Sequence, residues 1–149
     1  MIANAATGER IVIRTSAADS DGALLAFDLY LPPGGHVPGR HAHPKQEERF
    51  TIIMGELEFR LFGESRMAKA GDIVVVPPRT PHWFGNHGPA TAHVFVEVRP
   101  ALRMEELLAA SEAVALRPML LRLPALARLV LSFRPELAVL PHPWPRSPR

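Results

Sequence analysis

The stretch GHVPGRHAHPKQEERFTIIMG, Gly35 to Gly55, decides how the rest of the chain is read. His41 and His43 are two residues apart, so in an extended chain both imidazoles leave the same face of one strand. Pro44 ends that strand. After a short turn, Glu48, Phe50, Ile52 and Met54 alternate with Arg49, Thr51 and Ile53, the pattern of a half-buried strand whose first inward residue is the acid. Glu47 competes for the carboxylate role. It has the opposite parity and falls with Arg49 and Thr51 on the outer side, so Glu48 is the residue expected beside the histidine pair.

Downstream, GDIVVVPPRTPHWFGN from Gly71 to Asn86 supplies a second apolar strand, a Pro-rich turn and then His82. Three neutral imidazoles and one carboxylate, His41, His43, Glu48 and His82, suit a first-row divalent metal such as Fe, Mn, Ni or Zn. Four protein ligands around an octahedral ion leave two adjacent positions for substrate, water or dioxygen.

These two stretches resemble the paired motifs of the cupin family. The first, GxxxxxHxHxxxxExxxxxxG, is matched at every fixed position by Gly35, His41, His43, Glu48 and Gly55. The second, GxxxxxPxGxxHxxxN, is matched by Gly71, Pro77, His82 and Asn86, with Arg79 standing where the family usually has glycine. That departure bears on the turn, since the glycine occupies a tight one, and not on the ligands. The resemblance covers about residues 20 to 100. It implies a jelly-roll barrel, the double-stranded β-helix, and barrels that commonly pair through their outer sheets.

The residues read the same way without it. Short strands are expected over 10–14, 23–31, 48–54, 57–61, 67–70, 73–76, 82–84 and 93–98, punctuated by Gly and Pro, which argues for an all-β barrel or double sandwich. The turn at Gly55-Glu56 suggests a hairpin between the strands on either side. After Pro100 the period changes. Met104, Leu107, Leu108, Ser111, Val114 and Ala115 lie on one helical face, and a second helix follows Pro118 or Pro124 with Leu126, Leu129, Val130 and Phe133 as its stripe. Residues 1–100 are thus read as the barrel and 101–149 as a helical extension with a Pro-rich tail. The tail from Pro135 is expected to be an extended or disordered arm. The apolar stripes would expose too much surface on a small monomer, so a homodimer is expected.

Composition narrows the function classes. With 149 residues, 47% hydrophobic and 21% charged, the chain has the makings of one globular domain. There is no cysteine, which excludes disulfides, thiolate metal sites and a cysteine nucleophile. The N-terminus does not read as a signal peptide, so a cytoplasmic setting is the default. Residues 1–100 carry 10 basic and 11 acidic side chains and the remainder 7 and 4, with no dense basic run, so nucleic acid is not an expected partner. The segment 118–133 is too short to span a bilayer and contains Arg122 and Arg128.

Among the other histidines, His36, His87 and His142 are read as solvent-exposed, while His93 begins a strand expected near His82 and is either a pocket residue or a plain strand position. Trp83 alternates with His82 and Phe84 and should face away from the metal. Arg79 is read as a solvated turn residue near the mouth, with anion binding as the alternative. An apolar pocket lined from Leu25, Phe27, Phe50, Ile52, Phe59 and Phe84 would exclude bulk water. The resemblance implies metal-dependent enzymes on small organic molecules, an oxygenase first among them. It equally includes binding or sensing modules that catalyse nothing.

Overall fold

Alternation along the strands becomes two inner faces in a computed structural model that describes residues 1–3, 8–37 and 39–140. The chain runs β1 (Ile2–Ala3), β2 (Arg10–Thr15), β3 (Leu25–Leu31), β4 (His41–Ala42), β5 (Glu47–Met54) and β6 (Glu56–Leu61). It continues through β7 (Glu64–Lys69), β8 (Ile73–Val76), β9 (His82–Gly85) and β10 (Ala92–Arg99) to α1 (Met104–Ala115), α2 (Met119–Ser132) and β11 (Ala138–Val139). One sheet has the order β1-β2-β3-β10-β5-β8 and the other β11-β4-β9-β6-β7. Inward residues of both feed a single core, in which Phe50 from the first sheet meets Phe59 and Phe84 from the second at ring-centroid distances of 5.1 and 5.2 Å. This is the expected jelly roll with two C-terminal helices.

The expected hairpin at Gly55 does not form. β5 pairs with β10 and β8, whereas β6 pairs with β7 and β9, so Gly55 is a corner between sheets. Its φ of +81° and the 3.0 Å at which a Cβ would meet the Ala92 Cα both require glycine there. The hairpin is instead β6/β7, closed by Phe62-Gly63 with Leu61 opposite Glu64, and β7 therefore starts earlier than expected. Met54 is exposed rather than inward because a bulge opposite His93 breaks the parity after Ile52.

The extension packs on the barrel through Met104, Leu107, Leu129 and Phe133, all buried, each contributing about 1.5–3 kcal/mol of apolar transfer. Pro118 is the residue that starts α2, with Pro124 inside it. Leu126 is 41% exposed, so the anticipated stripe is only partly covered. No described helix is long and apolar enough to cross a membrane. The tail does not lie apart from the barrel: β11 pairs antiparallel with β4, and the rest of it, with His142, lies outside the described residues.

Candidate metal centre

The centre sits between the two sheets. His41 in β4 is the cross-strand partner of His82 in β9, and His43 follows β4 directly, all on the side of the five-stranded sheet. Glu48 comes from β5 in the other sheet, opposite Val76 and Val98. The Pro-rich turn before β9 is tied to the histidine strand by the Arg79 N–H, which donates to the His43 carbonyl at 2.9 Å. Arg79 has φ of +61°, the left-handed conformation that glycine adopts without strain, so the substitution changes the residue while keeping the turn.

One donor atom from each of His41, His43, Glu48 and His82 lies within 4.8 Å of the other three. Donors about 2.1 Å from a shared ion stand about 3 Å apart when adjacent and about 4.2 Å apart when opposite, so the cluster has the dimensions of one coordination sphere. His43, Glu48 and His82 are buried, and His41 keeps partial exposure. Glu47, by contrast, lies opposite Arg99 on the outer side of the same strand.

The imidazoles are oriented from behind. Each Nδ1 meets a backbone carbonyl, that of Gly39 for His41 (2.9 Å), Glu136 for His43 (2.6 Å) and Thr80 for His82 (3.0 Å). A carbonyl only accepts, so Nδ1 carries the proton and the neutral ring turns its Nε2 lone pair toward the centre. His82 Nε2 then faces Glu48 Oε2 at 2.9 Å, acceptor against acceptor, unless a proton or a cation lies between them. His43 Nε2 is buried, 3.3 Å from the same oxygen, and makes no well-formed hydrogen bond. This surplus of inward lone pairs in a buried space is the chemistry of a cation site, and a divalent metal fits it.

Electrostatics follow the same geometry. Burial and the adjacent rings of His82 and His43 push His41 down to about 4, which favours its neutral, ligating form. For His43 burial lowers the pKa, but the Glu48 charge and the Glu136 carbonyl more than offset it, and the group is raised. Burial alone would raise Glu48. His43 and His82 outweigh it and hold the carboxyl well below the usual range.

His93 does not approach His82, because it has the opposite parity to the buried Ala92, Val94, Val96 and Val98 of β10 and so leaves the sheet on the side away from the centre. It lies on the outer face, stacked on Tyr30 and bonded through Nε2 to Asp28 Oδ1 at 2.7 Å, a plain strand position. Trp83 faces outward as expected and donates to the Val37 carbonyl beneath Arg60. His36 and His87 are exposed and flank Trp83, and His87 pairs with Glu58 at 2.7 Å. The proposed lining residues Leu25, Phe27, Phe50, Ile52, Phe59 and Phe84 are all buried.

Two contributors escape the sequence reading. Gln46, 1% exposed, donates from Nε2 to the carbonyls of Pro100 and Ala101 and so fixes the start of β5 against the extension. Glu136 supplies its carbonyl from 93 residues away. Neither has a periodic signal, because the useful atom is a side-chain amide in a turn or a backbone oxygen that any residue carries.

A family model described as "Cupin domain" matches residues 27–98. Among solved structures, a protein described as a predicted oxalate decarboxylase from Thermotoga maritima is 27% identical over 62% of this chain and 80% of its own, with a TM-score of 0.57. A double-stranded β-helix protein from Klebsiella pneumoniae is 24% identical over 63% of this chain and 74% of its own, with a TM-score of 0.55. Oxalate oxidase in complex with glycolate is 23% identical over 64% of this chain, with a TM-score of 0.53, and the match spans only 52% of that longer chain. No curated protein matches this chain.

Proposed function

The chain belongs to the cupin family, its cupin domain spanning residues 27–98, and from that premise we propose that it is a metal-dependent enzyme, an oxygenase, acting on a small organic molecule. His41, His43, Glu48 and His82 are its metal ligands. The observation that carries the reading is the convergence of three carbonyl-oriented Nε2 atoms and one carboxylate oxygen in a buried space. When bound, a redox-active ion supplies a Lewis acid with open positions for a substrate and dioxygen.

The chain's own residues do the rest. The carbonyls of Gly39, Glu136 and Thr80 hold the imidazole protons on Nδ1, away from the reacting side. Phe50, Phe59 and Phe84 form an apolar wall that excludes bulk water. The partial exposure of His41 supports approach of a small molecule from its side. The Thermotoga neighbour, described as a predicted oxalate decarboxylase, favours a small oxygen-rich acid as the substrate class.

A second reading, a non-catalytic binding or sensing module, is favoured by one specific observation. The other buried polar side chains lie outside the cluster: Asp28 with Arg14 and His93, Gln46 with Pro100 and Ala101, Asn86 with Leu31 and Ala90, and Glu136 beside the Arg103 N–H with its second oxygen unpartnered. Among the described residues no further His, Asp or Glu belongs to the cluster. Elemental analysis of untagged protein, followed by oxygen-uptake assays on small carboxylic and phenolic acids, tests the choice. Iron, manganese or nickel with substrate-dependent oxygen consumption supports the enzyme. Zinc with no turnover supports the binder.

The proposal includes a homodimer. It rests on Ile53, Ile73 and Val75, which are 49%, 43% and 40% exposed on the outer face of β5 and the edge strand β8. Light scattering on wild type and Ile73→Lys measures it, and a wild-type monomer overturns it.

A further inference from the structure

We infer that the segment from Phe133 to Leu140 is a strap whose docking is coupled to metal binding, with the Glu136 carbonyl as the positioning group for His43. The inference rests on the ligand set proposed above. The carbonyls behind His41 and His82 lie two residues from their histidines and come with the local loop. The one behind His43 arrives from the far end of the chain, so it is present only while the C-terminal segment is docked.

The docking contacts join backbone hydrogen bonds to the partly buried Leu137, which packs against the core. The N–H groups of Glu136 and Leu137 donate to the Phe133 carbonyl, wrapping the chain off the end of α2, where Phe133 is buried. Ala138 and Val139 then pair with Ala42 and His41, and the Leu140 N–H donates to the Arg40 carbonyl at 3.1 Å. The strap thus passes behind the ring of His43 at Glu136, then lies along the strand that carries His41 and ends at Arg40.

Against these contacts stands the Glu136 carboxylate, only 2% exposed. Its Oε1 accepts a single long bond of 3.3 Å from the Arg103 N–H before α1, its Oε2 has no hydrogen-bond partner among the described residues, and the Arg103 guanidinium acts on it through charge alone. Burying a carboxylate with so little compensation opposes docking. A two-residue edge strand held against such a group belongs to the low-stability end of a fold, where local opening occurs.

Undocking removes the acceptor from His43 Nδ1–H. The ring is then free to turn or to exchange tautomer, and either change takes the Nε2 lone pair from the centre. A metal that needs that lone pair binds the docked form more tightly, and by linkage it must stabilise the docked strap by the same factor. The extension is therefore a working part of the site as well as a cover for the barrel wall.

The test uses the full chain with Mn2+ and Zn2+ as probes. Metal affinity is measured by competition with a chromophoric chelator, and amide hydrogen exchange is followed over residues 136–140 with and without metal. Metal should slow exchange of the Leu140 amide about tenfold or more. Leu140→Pro, which deletes the N–H donated to Arg40, should weaken metal binding by about tenfold, whereas Leu140→Ala, which keeps it, should bind as wild type. A purely structural strap would lower the melting temperature of Leu140→Pro without metal-dependent protection. Wild type that binds metal while the exchange of 136–140 stays unchanged overturns the strap alone, and this arm needs no variant to fold. Wild type that takes up neither metal overturns the ligand assignment and the strap with it.

Discussion

Two histidine–carboxylate groups lie on opposite faces of the six-stranded sheet. On the outer face Asp28 accepts from Arg14 through one oxygen and from His93 through the other, while Tyr30 stacks on His93 and Arg10 lies over Tyr30. On the inner side Glu48 meets His82 and His43 through the same oxygen, and the Nδ1 protons of all three rings are turned away to backbone carbonyls. Composition is similar, yet the donor balance is opposite. The outer group has an N–H for each carboxylate oxygen and is closed. The inner group has more inward lone pairs than protons and is completed by a cation. A histidine beside an acid is therefore no sign of a metal by itself; what the second ring nitrogen touches decides it.

The contrast can be broken by mutation. The largest effect is expected for His82→Ala, a loss in metal affinity on the order of a hundredfold or more, while Asp28→Asn and His93→Ala leave affinity unchanged. Equilibrium dialysis with elemental analysis reads this, and comparable losses in both groups would erase the distinction. Next, Glu48→Gln should weaken binding at least about tenfold and Glu47→Gln not at all. Metal titration of the two variants checks the strand parity, and equal losses would mean that both acids reach the ion.

Asp28→Asn should instead lower stability only modestly in urea denaturation, because it gives the part-exposed Arg14 and His93 donors a weaker acceptor. No change would mean that solvent screens the Arg14 and His93 contacts.

The smallest effect concerns pH in the metal-free chain. His41, lowered to about 4, contributes stability that is present above its unfolded value and lost as pH falls from about 6.5 toward 4. Glu48 and Asp28, both lowered, contribute stability present above their unfolded values and lost as pH falls through their folded ones. His43, raised, contributes stability present below about 6.5 and lost as pH rises through its folded value. Denaturation at stepped pH should show a maximum near neutrality, with an acid limb of about 1 kcal/mol per pH unit where His41 alone titrates and a steeper one where Glu48 and Asp28 join it. A profile that keeps rising through pH 8 would contradict the direction for His43.

Much of this protein was decided locally and is legible in the chain. The two-residue spacing of His41 and His43, the parity that separates Glu48 from Glu47, and the side on which Trp83 leaves its strand all follow from the period of an extended backbone. The change of period after Pro100 likewise marks both helices. Tertiary structure alone decided which neighbours in sequence part company, so that β5 and β6 enter different sheets at Gly55 and His93 meets Asp28 and Tyr30 rather than His82. It also decided that Arg79 adopts the left-handed conformation that favours glycine, and that the carbonyl of Glu136 stands behind His43. The physical reason is range: side-chain periodicity is set within a few residues, whereas sheet partition and backbone hydrogen bonds between distant segments depend on the closure of the whole barrel.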